Sequence, residues 1–272
     1  MHNIGKGWSR VFVPRPRARA RLICFPHAGG AATTYRDWAR QLPDSIELVA
    51  VQYPGRHDRA DDPLPPGIPE LAEEIARVIA PKLSGTTAFF GHSMGAMVAF
   101  EVARRLRPRF PAPLAGLYVS ACNAPPRWRP RGLSFTDDEL KDYLRRLGGE
   151  GSVSLADDDL WQVVGPVLRG DLRLTEGYRN ASGAPLTFPI TAVHGDSDEF
   201  VTADAVKQWH EQTIGAFESH VFPGGHFYYE DSLPKLLELL TTFAGQHEYR
   251  SAIDRAGNVG PGNSLHVQGE PE

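Results

Sequence analysis

Apolar positions along the chain follow two periods. Residues 21–26 (Arg-Leu-Ile-Cys-Phe-Pro) and 47–53 (Glu-Leu-Val-Ala-Val-Gln-Tyr) are short, nearly continuous apolar runs, the pattern of strands covered on both faces. Runs at residues 88–90, 114–121, 189–194 and 219–222 predict four more strands. Between them the period lengthens. Residues 70–82 carry Leu71, Ile75, Val78 and Ile79 at helical spacing, and residues 34–42, 96–106 and 233–243 also predict helices. Strands alternating with helices predict an α/β fold, a mostly parallel sheet with helices on both faces.

One stretch departs from this rhythm. Residues 125–184 contain helical patterns and no convincing strand. Thr136 is placed to cap a helix, with Glu139 three positions on completing a capping box, and a second apolar-periodic segment covers residues 160–174. We read this stretch as a helical lid inserted over the C-terminal edge of the sheet; the plainer alternative is a long crossover connection. The expected organisation is a basic N-terminal extension (1–20), a main domain (21–248) and a disordered tail (249–272), which turns polar and glycine-rich at Asn258-Val259-Gly260-Pro261-Gly262-Asn263.

Composition narrows the classes. A chain of 272 residues with 41% hydrophobic residues can build one large α/β domain with an inserted cap. A net charge of -4 argues against nucleic-acid binding. No apolar run reaches membrane-spanning length and the N-terminus has no apolar signal core, so a cytoplasmic protein is expected. Cys24 and Cys122 lie in apolar runs and read as buried free thiols. The charge is uneven. Lys6, Arg10, Arg15, Arg17, Arg19 and Arg21 precede the first acidic residue, Asp37; Arg104, Arg105, Arg107 and Arg109 form a second cluster, followed by Arg127, Arg129 and Arg131. Such clusters are solvated surface or a landing zone for an acidic partner protein.

The candidate chemistry centres on Gly91-His92-Ser93-Met94-Gly95, a Gly-x-Ser-x-Gly sequence between a strand-like and a helix-like run. On so tight a turn the serine hydroxyl is pushed outward, and the glycines leave room for the strained backbone. The base expected for Ser93 is His226, in Pro223-Gly224-Gly225-His226 after the predicted strand at 219–222; the order serine, acid, histidine is that of this architecture. The acid should lie in Gly195-Asp196-Ser197-Asp198-Glu199, where three carboxylates compete. Asp198 is favoured, because a residue three past the strand-ending glycine can swing across to the histidine loop. Asp196 is expected to hold the turn through local bonds. An oxyanion hole needs two donors, the Met94 amide and one from Pro26-His27-Ala28-Gly29-Gly30. Ala28 is chosen there, with His27 and Gly29 as alternatives.

Four motifs in order, Phe25-Pro26-His27-Ala28-Gly29-Gly30, Tyr53-Pro54-Gly55-Arg56, Gly91-His92-Ser93-Met94-Gly95 and Pro223-Gly224-Gly225-His226-Phe227, together resemble the type II thioesterases that accompany polyketide synthases and nonribosomal peptide synthetases. The resemblance spans residues 21–244. It implies an α/β-hydrolase fold with a mobile lid, a Ser93–Asp198–His226 triad, and an oxyanion hole of the Met94 and Ala28 amides. It also implies hydrolysis of aberrant or stalled acyl groups from the phosphopantetheine arm of acyl carrier and peptidyl carrier proteins. No metal or soluble cofactor is called for, and no catalytic position departs from the pattern. The residues by themselves leave open a general serine esterase or lipase, a product-releasing thioesterase or acyltransferase, and a hydrolase-like binding protein. Candidate substrate-facing residues are His27, Phe227, Trp128, Trp161 and Tyr178, since a lid hides an apolar underside. For Phe227-Tyr228-Tyr229 core packing competes with pocket lining, and for Arg56 and Arg59 structural ion pairs compete with contact to a phosphate.

Overall fold

The computed structural model describes residues 7–83, 86–106, 114–130, 132, 135–149, 157–179 and 183–257. Its strands are Ser9–Arg10 (β1), Ala20–Phe25 (β2), Ile46–Val51 (β3), Thr86–His92 (β4), Gly116–Ser120 (β5), Ile190–Gly195 (β6) and Phe217–Phe222 (β7). They form one sheet in the order β1-β3-β2-β4-β5-β6-β7, parallel throughout except for β1. Alternate residues of the strands serve two apolar layers. Ile23, Phe25, Val49, Val51 and Phe89 face helices Ile68–Ile79 (α2) and Met94–Leu106 (α3); Leu22, Cys24, Leu48, Ala50 and Phe90 face helices Arg36–Gln41 (α1) and Tyr229–Gly257 (α7). This is the mostly parallel, two-sided sheet expected from the apolar runs, and the α/β-hydrolase fold that the resemblance implies. Both Cys24 and Cys122 are free and buried.

The order reverses between β2 and β4: the chain leaves β2 for β3 on one side and returns to β4 on the other. In open parallel sheets the crevice at such a point, beyond the strands' C-terminal ends, is where ligands bind. The loop after β2 and the turn after β4 both open there.

The inserted segment is helical where described. It comprises a short turn at Pro125–Arg127 and helices Asp137–Leu147 (α4) and Asp158–Gly177 (α5), with no strand among the described residues of 125–184. Thr136 caps α4 by accepting from the Glu139 amide at 3.3 Å, while the Glu139 carboxylate accepts from Phe135 N at 2.9 Å, so the box closes one residue early. Leu140, Tyr143 and Leu147 of α4 pack with Trp161, Leu168 and Leu172 of α5, and Ala28, Phe200 and Phe227 pack against that cluster. The lid's apolar underside therefore rests on the loops after β2, β6 and β7. A fifth short helix of the main domain, Ala203–Lys207 (α6), follows the β6 loop.

Two boundaries differ from the sequence reading. Residues 7–19 are no detached extension: β1 pairs with the edge of β3, Gln52 N donates to Trp8 O at 2.9 Å, and the Arg59 guanidinium lies 3.8 Å from the centre of the Trp8 ring. A two-residue strand is too short to register as a period. At the other end, α7 leaves helical geometry at Ser232, just before Pro234, and then runs on to Gly257, through residues assigned to the tail. Residues 246–256 contain neither glycine nor proline, so nothing in them ends a helix. Lys6, Arg107, Arg109, Arg131 and the glycine-rich stretch from 258 lie outside the described residues. Among those described, no helix is long and apolar enough to cross a membrane.

Candidate active site

Ser93 sits between β4 and α3 with φ at +55°, a left-handed conformation that costs a non-glycine residue energy and marks a constrained turn. Ser93 N donates to Ser120 O at 2.8 Å, which pins the turn to β5. The flanking glycines are required by contact. A Cβ on Gly91 would overlap the Gly95 carbonyl, and one on Gly95 would overlap the carbonyl of Phe25. The second contact seats the end of β2 against the turn and brings the loop after β2 up to Ser93.

His226 follows β7 and is buried, 3% exposed. Its Nδ1 and Asp198 Oδ2 are 2.8 Å apart, and Asp198 Oδ1 accepts from Phe200 N at 2.9 Å. The carboxylate is thus fixed by backbone on one oxygen and holds the imidazole with the other, which leaves Nε2 as the face turned to chemistry. Nε2 is buried with no hydrogen-bond partner among the described residues. The Ser93–His226 hydrogen bond is therefore not formed, a bond that commonly tightens only once substrate is bound. Asp196 does what its position predicted: its Oδ1 accepts from Ser197 Oγ at 2.8 Å and from Gly224 N at 3.1 Å, lacing the acid loop to the histidine loop. Those two bonds hold its carboxyl below the usual range.

Of the candidate oxyanion donors, Gly29 is excluded, because its amide donates to Asp171 Oδ2 at 2.8 Å. The Ala28 and Met94 amides donate to no other group among the described residues. The loop carrying Ala28 is held from several sides. Tyr35 Oη donates to Phe25 O at 2.8 Å, Tyr53 Oη to Pro26 O at 3.2 Å, and Ala32 N donates to Gln52 Oε1 at 3.1 Å. A serine on a strained turn, a carboxylate-backed imidazole and two uncommitted amides can carry out acyl transfer.

The thioesterase-domain family model matches residues 20–244. The chain is 40% identical over 232 residues to thioesterase PikA5 of Streptomyces venezuelae, covering 84% of this chain and 83% of that protein. The chain belongs to the thioesterase family. It is similar at 32% identity to the gramicidin S biosynthesis protein GrsT of Aneurinibacillus migulanus, over 82% of this chain and 88% of GrsT. Among solved structures, the type II thioesterase BorB from the borrelidin biosynthetic cluster is similar with a TM-score of 0.81 at 39% identity, covering 88% of this chain and 98% of BorB. The protein is a hydrolase acting on thioesters, on an α/β-hydrolase fold.

The remaining candidate residues of this thioesterase divide. Phe227 lies at the site, its ring centre 5.1 Å from that of His27 and 5.4 Å from those of His92 and His226. Trp161 is buried in the lid's apolar layer. Tyr178 faces elsewhere: its hydroxyl donates to Glu101 Oε1 at 2.8 Å in the layer beneath α3, and burial pushes its pKa up. Trp128 Nε1 donates to Thr175 O at 3.1 Å and its ring packs on the same layer. Both fasten the end of α5 to the body of the protein. Tyr228 and Tyr229 are buried. Arg59 pairs with Asp62, and Arg56 with Asp171.

Three imidazoles meet beside Ser93. The ring centres of His92 lie 5.2 Å from His226 and 6.0 Å from His27. His92 Nδ1 and Ser120 Oγ are 2.9 Å apart, and Ser120 Oγ bonds in turn with Tyr228 Oη at 2.7 Å. Burial, then the charges of His226 and Arg56, lower the His27 pKa from 6.5 to about 4. Burial, then His226 and His27, lowers that of His92 well below its usual value. The folded protein thus refuses protons that the unfolded chain accepts. Stability from this source is complete above about pH 6.5 and is lost as pH falls toward about 4. Denaturant midpoints measured across that window should fall less steeply for His27→Gln than for the parent; equal slopes would mean that His27 protonates normally in the fold.

Proposed function

We propose that this thioesterase is a type II, editing enzyme that clears aberrant or stalled acyl groups from the phosphopantetheine arm of acyl carrier or peptidyl carrier protein domains, through an acyl-serine intermediate. The observation that carries the reading is the buried, carboxylate-held His226, whose free Nε2 serves the strained Ser93 beneath an apolar lid. The similarity to PikA5, GrsT and BorB supports the substrate class. His226 Nε2 takes the Ser93 proton as Oγ attacks the acyl carbonyl, and the Met94 and Ala28 amides hold the oxyanion. The carbonyl reforms as the C–S bond breaks, and the imidazolium returns its proton to the departing thiolate. Water then attacks the acyl-serine, giving its proton to His226; collapse returns that proton to Ser93 and releases the acid. Protein groups and water complete the cycle, so the route calls for no metal or dissociable cofactor; the phosphopantetheine arm arrives with the substrate.

The basic clusters bear unequally on docking. The Arg15 guanidinium donates to the carbonyls of Ala39, Pro43 and Ile46, Arg21 pairs with Glu47 near the start of β3, and Arg104 and Arg105 pair with Glu101 on α3. Arg104 and Arg105 lie in the last turn of α3, at the opposite end of that helix from Ser93, whereas Arg127 and Arg129 lie in the inserted segment. The test compares hydrolysis of acyl-loaded carrier protein, an acyl-pantetheine mimic and an oxygen ester of the same acyl group. Carrier-bound thioester should give the highest kcat/KM; preference for the oxygen ester would make the protein a general esterase.

A further inference from the structure

We infer that Asp171 and Arg56 are positioning residues through which the lid sets the oxyanion loop. The inference rests on the reading of the Ala28 amide as an oxyanion donor. Asp171 lies on α5, within the lid, yet its carboxylate is fully buried and bonds outside the lid. Oδ2 accepts from Gly29 N at 2.8 Å and from Arg56 Nη1 at 2.7 Å, and Oδ1 accepts from Arg56 Nη2 at 2.6 Å. Arg56 Nη1 also donates to Gly30 O at 2.7 Å, and its Nε donates to Pro54 O at 3.1 Å. The peptide units on either side of the Gly29–Gly30 peptide are therefore gripped by one ion pair, half of which belongs to the lid.

The other holds on this loop come from the body of the protein: Tyr35, Tyr53 and Gln52 grip Phe25, Pro26 and Ala32. None of them touches Gly29 or Gly30. Gly29 adopts φ +78° with Leu168 of α5 against it, so helix packing and hydrogen bonding fix the same residue. If α5 lifts, Asp171 withdraws from Gly29 N and strands a buried guanidinium. The Ala28 amide, one peptide away, is then free to turn. Seating the lid and completing the oxyanion hole become one event, which confines strong transition-state binding to the covered, water-excluding form.

A structural ion pair and a positioning device differ in what they do to a folded variant. Replacing both partners by apolar residues of similar volume, Arg56→Met with Asp171→Leu, removes the buried charges together, a change that is often neutral or favourable for stability. It leaves Gly29 N without its acceptor. We expect kcat to fall roughly 10- to 100-fold with KM little changed, the scale of a displaced oxyanion donor. Affinity for a boronic acid that forms a tetrahedral adduct on Ser93 should fall by a similar factor. A folded double variant with parental kcat and boronate affinity would overturn the inference. Should that variant not fold, Asp171→Asn, which keeps the volume and one acceptor oxygen, reads the same two quantities: a fall in both supports the coupling, and parental values overturn it. Phosphonate labelling of Ser93 in the parent separates the two readings: labelling with unaffected variants refutes the lid coupling alone, whereas no labelling refutes the serine mechanism itself.

Discussion

Ser93→Ala should lower kcat by about 10⁶-fold, the scale on which serine–histidine sites lose their nucleophile, while leaving the circular dichroism spectrum and thermal midpoint close to those of the parent. The Ser93 backbone carries its structural role, through its amide on Ser120 O and its carbonyl receiving Ala96 N at 3.0 Å. Alanine preserves both bonds and meets the same positive φ. What disappears is the only oxygen the turn offers to an acyl carbon. The variant should still bind acyl-loaded carrier protein, since the lid and loops are untouched. Parental turnover by a verified Ser93→Ala protein would move the nucleophile elsewhere and end the acyl-serine reading.

Asp198→Asn should cost about 10⁴-fold in kcat with little change in KM, the effect of presenting the wrong imidazole tautomer. The carboxylate accepts a hydrogen bond from Nδ1–H; an amide nitrogen in its place donates, so Nδ1 must become the acceptor and Nε2 carries the proton. A protonated Nε2 cannot take one from Ser93. The neighbouring change, Asp196→Asn, is the control. Asn keeps an acceptor for Gly224 N, and that group is exposed, so its effect on kcat should stay within roughly twofold. Steady-state kinetics on one thioester decides between the two carboxylates. If Asp196→Asn were the damaging change, the hydrogen bond seen between His226 and Asp198 would not be the working one.

What could be read from the sequence was what is local. The serine turn announces itself because strand, turn and helix are contiguous and the glycines sit where the Gly95 carbonyl and Phe25 crowd the backbone. Asp198 could be told from Asp196 because loop geometry over three residues settles which carboxylate reaches across. Asp171 had no such signal. It is one carboxylate among several along the α5 segment, and its partner Arg56 is 115 residues away. Only the fold shows that the buried one is not on a solvated helix face. The bond from Tyr178 to Glu101 was hidden for a related reason: lid membership by sequence position says nothing about which way a ring turns at the end of a helix. The paired β1 and the long α7 escaped because a two-residue strand has no period, and because polar composition alone does not forbid a helix.

The three clustered imidazoles also set the proton inventory of the site. With His27 and His92 both held in their uncharged forms by burial, neither ring competes for the proton that His226 would take from Ser93 in the proposed cycle. A ring of ordinary basicity at 5.2 Å would offer that proton a second resting place, out of reach of the departing thiolate. Here it has one custodian. Each half of the cycle must then return the proton it removed before the next can begin, and attack and departure stay in step without a gate made for the purpose.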